Sequence, residues 1–169
     1  MADFNRPAKL TAEHDVTSFD CGQVDLNDWL RRYALNNQRA GMSTVFVTSR
    51  PDSSAVIGYY ALASGGVDSG LAPSRITQGV PRHPIPVILL TRLAVDTSMQ
   101  GQKVGRGLLI DALRRVNAAA DEIGVRALLI HAKDDAARDF YAGNAEFEPS
   151  PTDPLHLFLL MKDLRKVIH

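Results

Sequence analysis

The amino-acid sequence predicts a mixed α/β class. Three observations carry that expectation: two long amphipathic helix patterns, two apolar runs that read as strands covered on both faces, and their alternation from residue 87 as strand, helix, strand, helix, strand. A length of 169 residues suits one compact body, so residues 1–169 are read as a single domain.

The first helix pattern begins at Asp25. Leu26, Trp29, Leu30, Tyr33 and Ala34 recur as i, i+3, i+4, i+7 and i+8, which places them on one buried stripe. Asp25 is the expected N-cap and Gly41 the expected closing residue. Residues 43–49 and 55–64 read as strands across the turn-like Arg50-Pro51-Asp52-Ser53, with Gly58 marking a bulge. Residues 70–86 hold Pro73, Pro81, Pro84 and Pro86 and read as a long loop with one short helix. Residues 86–95 are apolar enough for a strand buried on both faces. After a glycine-containing turn comes a second long helix with Leu109, Leu113, Val116, Ala120 and Ile123 on its core face and Gly124 at its end. Residues 126–132 form another strand, residues 134–142 a short helix capped by Asp134, and residues 155–161 the last strand.

Composition excludes several function classes. No apolar run approaches the ~18 residues of a membrane span, and Met1-Ala2-Asp3-Phe4-Asn5-Arg6 has no apolar signal-peptide core. The single cysteine, Cys21, allows neither an internal disulfide nor a cysteine-built metal site, so a cytoplasmic protein with no metal is expected. Cys21 as a nucleophile has no histidine or lysine beside it in sequence to lower its pKa, and reads as a small core residue. Net charge is +0, which gives no global attraction to nucleic acid. The charge is nonetheless uneven. Residues 29–51 contain no acid but hold Arg31, Arg32, Arg39 and Arg50, and residues 69–95 contain no acid but hold Arg75, Arg82 and Arg92. These arginines are either scattered and solvated or a basic patch inside a neutral total.

The stretch with a mechanism is Leu93-Ala94-Val95-Asp96 followed by Gln100-Gly101-Gln102-Lys103-Val104-Gly105-Arg106-Gly107-Leu108-Leu109. It reads as a buried strand, a turn and a helix start. The first amides of a helix lack partners within it, and with the helix dipole they favour an anion. The pattern alone fits a plain turn equally well.

The same stretch resembles the acetyl-CoA signature of the GNAT acetyltransferases, Arg/Gln-x-x-Gly-x-Gly/Ala. The resemblance implies the GNAT fold, a mixed and mostly antiparallel sheet flanked by helices. It implies acetyl-CoA as cosubstrate, with Gln100, Gly101, Gln102, Lys103, Val104, Gly105, Arg106 and Gly107 around the pyrophosphate and the strand Leu93, Ala94 and Val95 along the pantetheine arm. Anchored at Gln100, the motif's first glycine falls on Lys103; anchored at Gln102 it is intact, but the helix phase is poorer. Downstream, Asp135-Ala136-Ala137-Arg138-Asp139-Phe140-Tyr141 resembles the helix whose Phe-Tyr pair closes the coenzyme site. Phe140 then borders the coenzyme, and Tyr141 is the general acid that protonates the leaving thiolate. His131, after an apolar strand, reads more readily as a structural histidine than as a base. An α-amine, with a pKa of about 7.7–8.0, needs little help in losing its proton.

A narrower resemblance covers most of the chain. Phe19-Asp20-Cys21-Gly22, Leu26-Asn27-Asp28-Trp29-Leu30, Asn37-Gln38, Gly41-Met42-Ser43, Gly58-Tyr59-Tyr60-Ala61-Leu62, Pro84-Ile85-Pro86-Val87 and Pro149-Ser150-Pro151-Thr152-Asp153-Pro154 look like the GNAT toxins of bacterial toxin–antitoxin pairs. That resemblance implies acetylation of the α-amine of an aminoacyl-tRNA, a block of translation, a ribbon-helix-helix antitoxin and a homodimer. Arg31, Arg32, Arg39, Arg75, Arg82 and Arg92 are then the candidate tRNA contacts; Arg92 differs in alternating into an apolar strand, where it is either structural or points into the site. Two other readings stay open on the residues: a GNAT enzyme acting on a small amine or a protein N-terminus, and a non-catalytic CoA-binding module.

Overall fold

A computed structural model describes residues 3–81 and 83–169. In chain order the elements are β1 (Ala8–Lys9), α1 (Val24–Asp28), a π-helical turn (Trp29–Tyr33), α2 (Ala34–Arg39), β2 (Thr44–Ser49), β3 (Val56–Val67), a 3₁₀ turn (Ser69–Leu71) and α3 (Ser74–Thr77). Then follow β4 (Ile85–Val95), a 3₁₀ turn (Thr97–Met99), α4 (Val104–Ala120), β5 (Ala127–His131), α5 (Asp135–Ala142), β6 (Glu148–Pro149), β7 (His156–Leu160) and α6 (Met161–Ile168). The predicted alternation from residue 87 onward is present. The strands follow the order β1-β2-β3-β4-β5-β7-β6. The β1–β2, β2–β3, β5–β7 and β6–β7 pairs are antiparallel and the β4–β5 pair is parallel. The sheet is thus mixed and mostly antiparallel.

The chain divides into two compact units, Met1–Ala63 with Thr91–Ala112, and Ser64–Leu90 with Leu113–His169. In the first, Leu30, Ala34, Val45, Val47, Val56, Tyr59, Ala61 and Ala94 close a core with Phe19 and Cys21, and Leu26 and Trp29 pack against it. The second has its own core, in which Ile76, Ile85, Val87, Ala127, Leu129, Phe158 and Leu160 meet.

In the first unit the helix start is one residue earlier than expected. Gln23 precedes the helix without a side-chain cap, and Asp25 lies in the first turn rather than at the cap. Leu30 and Ala34 are buried as the stripe requires, but Tyr33 is 57% exposed. The physical reason is the π-helical turn, whose wider winding breaks the 3.6-residue phase and carries residue 33 off the stripe. Gly41 does close the helix region, with φ of +77°. The bulge expected near Gly58 is present, because β2 pairs Thr48 with Gly58 and then Ser49 with Val56. Gly58 also lies beneath α4: a Cβ there would meet Leu108 Cδ1 at 2.9 Å and Val104 Cγ1 at 3.3 Å. A second tie holds α4 in place, the 2.5 Å hydrogen bond from the Tyr60 hydroxyl to Asp111 Oδ2.

Along α4, Leu109, Leu113 and Val116 are buried as predicted. The helix ends at Ala120, so Ile123 leaves the expected core face and is 58% exposed. In the second unit Asp134 caps α5 as expected, its side chain accepting from the Ala137 N–H at 2.9 Å.

Candidate active site

The turn from β4 into α4 belongs to the first unit and is shaped by its main chain. Asp96 fixes the turn's start. Its Oδ2 accepts from the Asp20 N–H at 2.9 Å and its Oδ1 from the Ser98 N–H at 3.0 Å and the Ser98 hydroxyl at 2.7 Å. Burial opposes ionisation of this carboxyl, but those hydrogen bonds outweigh burial and hold it below the usual range. Gln100 closes the turn from inside, its Nε2 donating to the carbonyls of Val95 at 3.0 Å and Cys21 at 3.2 Å. Gly101 has φ of +78° and Lys103 φ of +66°.

Lys103 is the residue on which the Gln100 anchor places the motif's first glycine. The residue aligned with the first motif glycine adopts the conformation glycine favours. α4 then begins at Val104, and its first helical bond runs from the Gly107 N–H to the Lys103 carbonyl at 3.0 Å. Val104, Gly105 and Arg106 open the helix, and positive potential gathers at such a start. Leu93, Ala94 and Val95 form the end of β4 leading into this turn, and the β5 register stops earlier, at Leu90 opposite Ile130. Cys21 is buried beside the turn, its amide donating to Asn27 Oδ1 at 2.8 Å, which is a structural setting.

Tyr141 belongs to the second unit, on α5. Its ring meets Phe140 edge-on at 5.2 Å and Phe147 at 6.1 Å between centroids. It is 7% exposed, and burial pushes its phenol pKa well above the usual value, so the hydroxyl stays protonated. The chain's two other buried tyrosines have satisfied hydroxyls: Tyr59 donates to the Leu26 carbonyl at 2.8 Å and Tyr60 to Asp111. The Tyr141 hydroxyl has no hydrogen-bond partner among the described residues, and no fully buried side-chain polar atom there lacks one, so this hydroxyl is open to an incoming molecule. His131 stacks on His156 at 3.9 Å, and His156 Nε2 lies 3.3 Å from Asp153 Oδ2. Desolvation first, then the neighbouring imidazole, lower the His131 pKa.

The chain is 51% identical over 168 residues to the tRNA-acetylating toxin of Mycobacterium tuberculosis, covering 99% of each protein. It belongs to that toxin family. Among solved structures it is similar to AtaT complexed with acetyl-methionyl-tRNAfMet, with TM-score 0.88, 27% identity and coverage of 99% and 100% of the two chains. It is also similar to a Tyr-to-Phe variant of the AtaT toxin bound to the C-terminus of the antitoxin AtaR and acetyl-CoA, with TM-score 0.82, 26% identity and 98% of both chains covered. No protein-family model matches the chain.

The structure separates the candidate arginines. Arg32 and Arg39 are exposed with no ion-pair partner among the described residues. Arg31 donates to the Phe19 carbonyl. Arg75 pairs with Glu148 and, at 2.8 Å, with the buried Asp163, both within its own unit. Arg82 lies outside the described residues. Arg92 stacks over the Trp29 ring, 4.1 Å from its centroid. Sequence reasoning missed Trp29 in that role, because it read Trp29 as one more residue of the core stripe. It also missed Phe147 as a wall beside Tyr141. Nothing in linear spacing ties either pair together.

Proposed function

We propose that this protein transfers the acetyl group of acetyl-CoA to the α-amine of an aminoacyl-tRNA and thereby blocks translation, as the toxin of a toxin–antitoxin pair. The reading is carried by the Tyr141 hydroxyl, a protonated donor in a buried aromatic setting with no acceptor among the described residues. The turn amides from Gln100 to Arg106 hold the coenzyme's pyrophosphate, the Gly107 amide being taken by the Lys103 carbonyl; Lys103 adds an ammonium to it, and the main chain of Leu93, Ala94 and Val95 pairs with the pantetheine arm. Phe140 borders the thioester end. The amine attacks the thioester carbonyl, the carbon–sulfur bond breaks, Tyr141 gives its proton to the departing thiolate, the nitrogen loses its extra proton to water, and water returns a proton to Tyr141. An α-amine near its own pKa releases its proton to water, so no dedicated base is required. Kinship at 51% identity with a tRNA-acetylating toxin supports the substrate, and the AtaT complexes support the coenzyme and an antitoxin.

In this reading residues 1–169 act as one acetyltransferase domain in the cytoplasm, as a homodimer, and Arg32 and Arg39 meet tRNA phosphates. The antitoxin is of the ribbon-helix-helix type. No helix among the described residues is long and apolar enough to cross a membrane. The test is to incubate the protein with total charged tRNA and labelled acetyl-CoA and to identify the labelled species. Label on the amino group of aminoacyl-tRNA is expected; label on free amines or protein N-termini alone rejects the reading.

A further inference from the structure

Arg92 is an unusual arginine. It lies on β4 beside Leu93, on the strand face it shares with Ala94, and its guanidinium covers the ring of Trp29. It is half-buried, yet it has no carboxylate and no hydrogen-bond acceptor among the described residues. Since no fully buried side-chain nitrogen there lacks a partner, its donors must be reachable from outside. The platform beneath it is rigid. Trp29 stacks on Tyr59 at 6.0 Å with an interplanar angle of 16°, Phe19 meets Tyr59 edge-on at 5.5 Å, and the Tyr59 hydroxyl is tied to Leu26. An arginine held flat on an aromatic ring loses little freedom when its fork engages an anion, and phosphate matches that fork. In sequence, residues 29–51, which begin at Trp29, carry arginines and no acid.

We infer that Arg92, stacked on Trp29, binds a backbone phosphate at the 3′ end of the acceptor RNA and so positions the aminoacyl group for transfer. The coenzyme's pyrophosphate already has the turn amides, which leaves this guanidinium for the other substrate. The inference rests on the proposed tRNA reading and goes beyond it by naming the residue that orients the acceptor end.

The test uses the full chain and a fluorescent acceptor-stem minihelix ending in CCA, with Kd followed against salt for the native protein, Arg92→Gln and Arg92→Lys. For Arg92→Gln the expected result is a Kd about tenfold higher and a log–log salt slope smaller by about one, with KM for acetyl-CoA unchanged. Arg92→Lys, which keeps the charge and loses the fork, is expected to retain the slope while binding more weakly. A lower melting temperature of Arg92→Gln with native Kd and slope would make Arg92 purely structural and overturn the inference. A raised KM for acetyl-CoA with native minihelix binding overturns it in favour of a coenzyme phosphate. If the native protein itself does not bind the minihelix, the tRNA reading fails before any variant is considered.

Discussion

The turn between β4 and α4 and the helix carrying Tyr141 serve the same coenzyme in the proposed reaction, but they are built differently. The turn works through main-chain amides, and side chains such as Asp96 and Gln100 only hold the backbone in shape. At residue 103 a lysine stands in a conformation that glycine favours. The α5 region instead concentrates its chemistry in one hydroxyl, shielded by Phe140 and Phe147. A backbone-built site fails when the layer beneath it moves. A side-chain-built site fails when one atom is removed.

The largest effect should therefore come from deleting that atom. Tyr141→Phe keeps the ring packing and is expected to lower kcat by about 10²–10⁴-fold, with KM for acetyl-CoA within about twofold of native. The pH profile sharpens the test. Burial raises the Tyr141 pKa, so the hydroxyl remains protonated across pH 6–9 and contributes no alkaline loss of rate. The native rate should instead rise with pH through the amine's pKa of about 7.7–8.0 as the free base forms, and the variant should show the same shape at a lower level. A variant with native kcat would remove Tyr141 from the reaction.

A smaller loss is expected from disturbing the floor under the turn. Gly58→Ala places a methyl group 2.9 Å from Leu108 Cδ1 and 3.3 Å from Val104 Cγ1, at the first turns of α4. Leu108 is fully buried and has little room to give way. The expected cost is about 1–3 kcal/mol by denaturant titration, with KM for acetyl-CoA raised severalfold because the amide row shifts. Native KM despite lost stability would mean that the helix start is not the phosphate site.

These two regions also show how far the sequence was readable. The long helix and the buried strands declared themselves because periodicity and apolar runs report local geometry, whereas the positive φ of Lys103 has no signal in the sequence. What stayed hidden depended on partners distant in sequence or on a break in regularity. Tyr33 was misplaced because a π-helical turn changes the winding, and Ile123 because α4 stops at Ala120. β1 and β6 have two residues each, too few to show a period. α6 was not anticipated at all, because the apolar run into residue 161 was read only as strand. Arg75 and Arg92 look alike in acid-free sequence, yet one meets Glu148 and Asp163 and the other a tryptophan.

The smallest effect separates the two contributions of residue 103. A non-glycine residue in the left-handed region costs roughly 1–2 kcal/mol, while glycine brings back some backbone entropy to the unfolded chain. Lys103→Gly is therefore expected to stabilise the protein by no more than about 1 kcal/mol, a rise of a few degrees in Tm. The same change removes an ammonium from the mouth of the amide row, so KM for acetyl-CoA should rise a few-fold, most clearly at low salt. A gain in stability with unchanged KM at every ionic strength would show that the lysine only occupies a strained turn, and that the backbone alone holds the pyrophosphate.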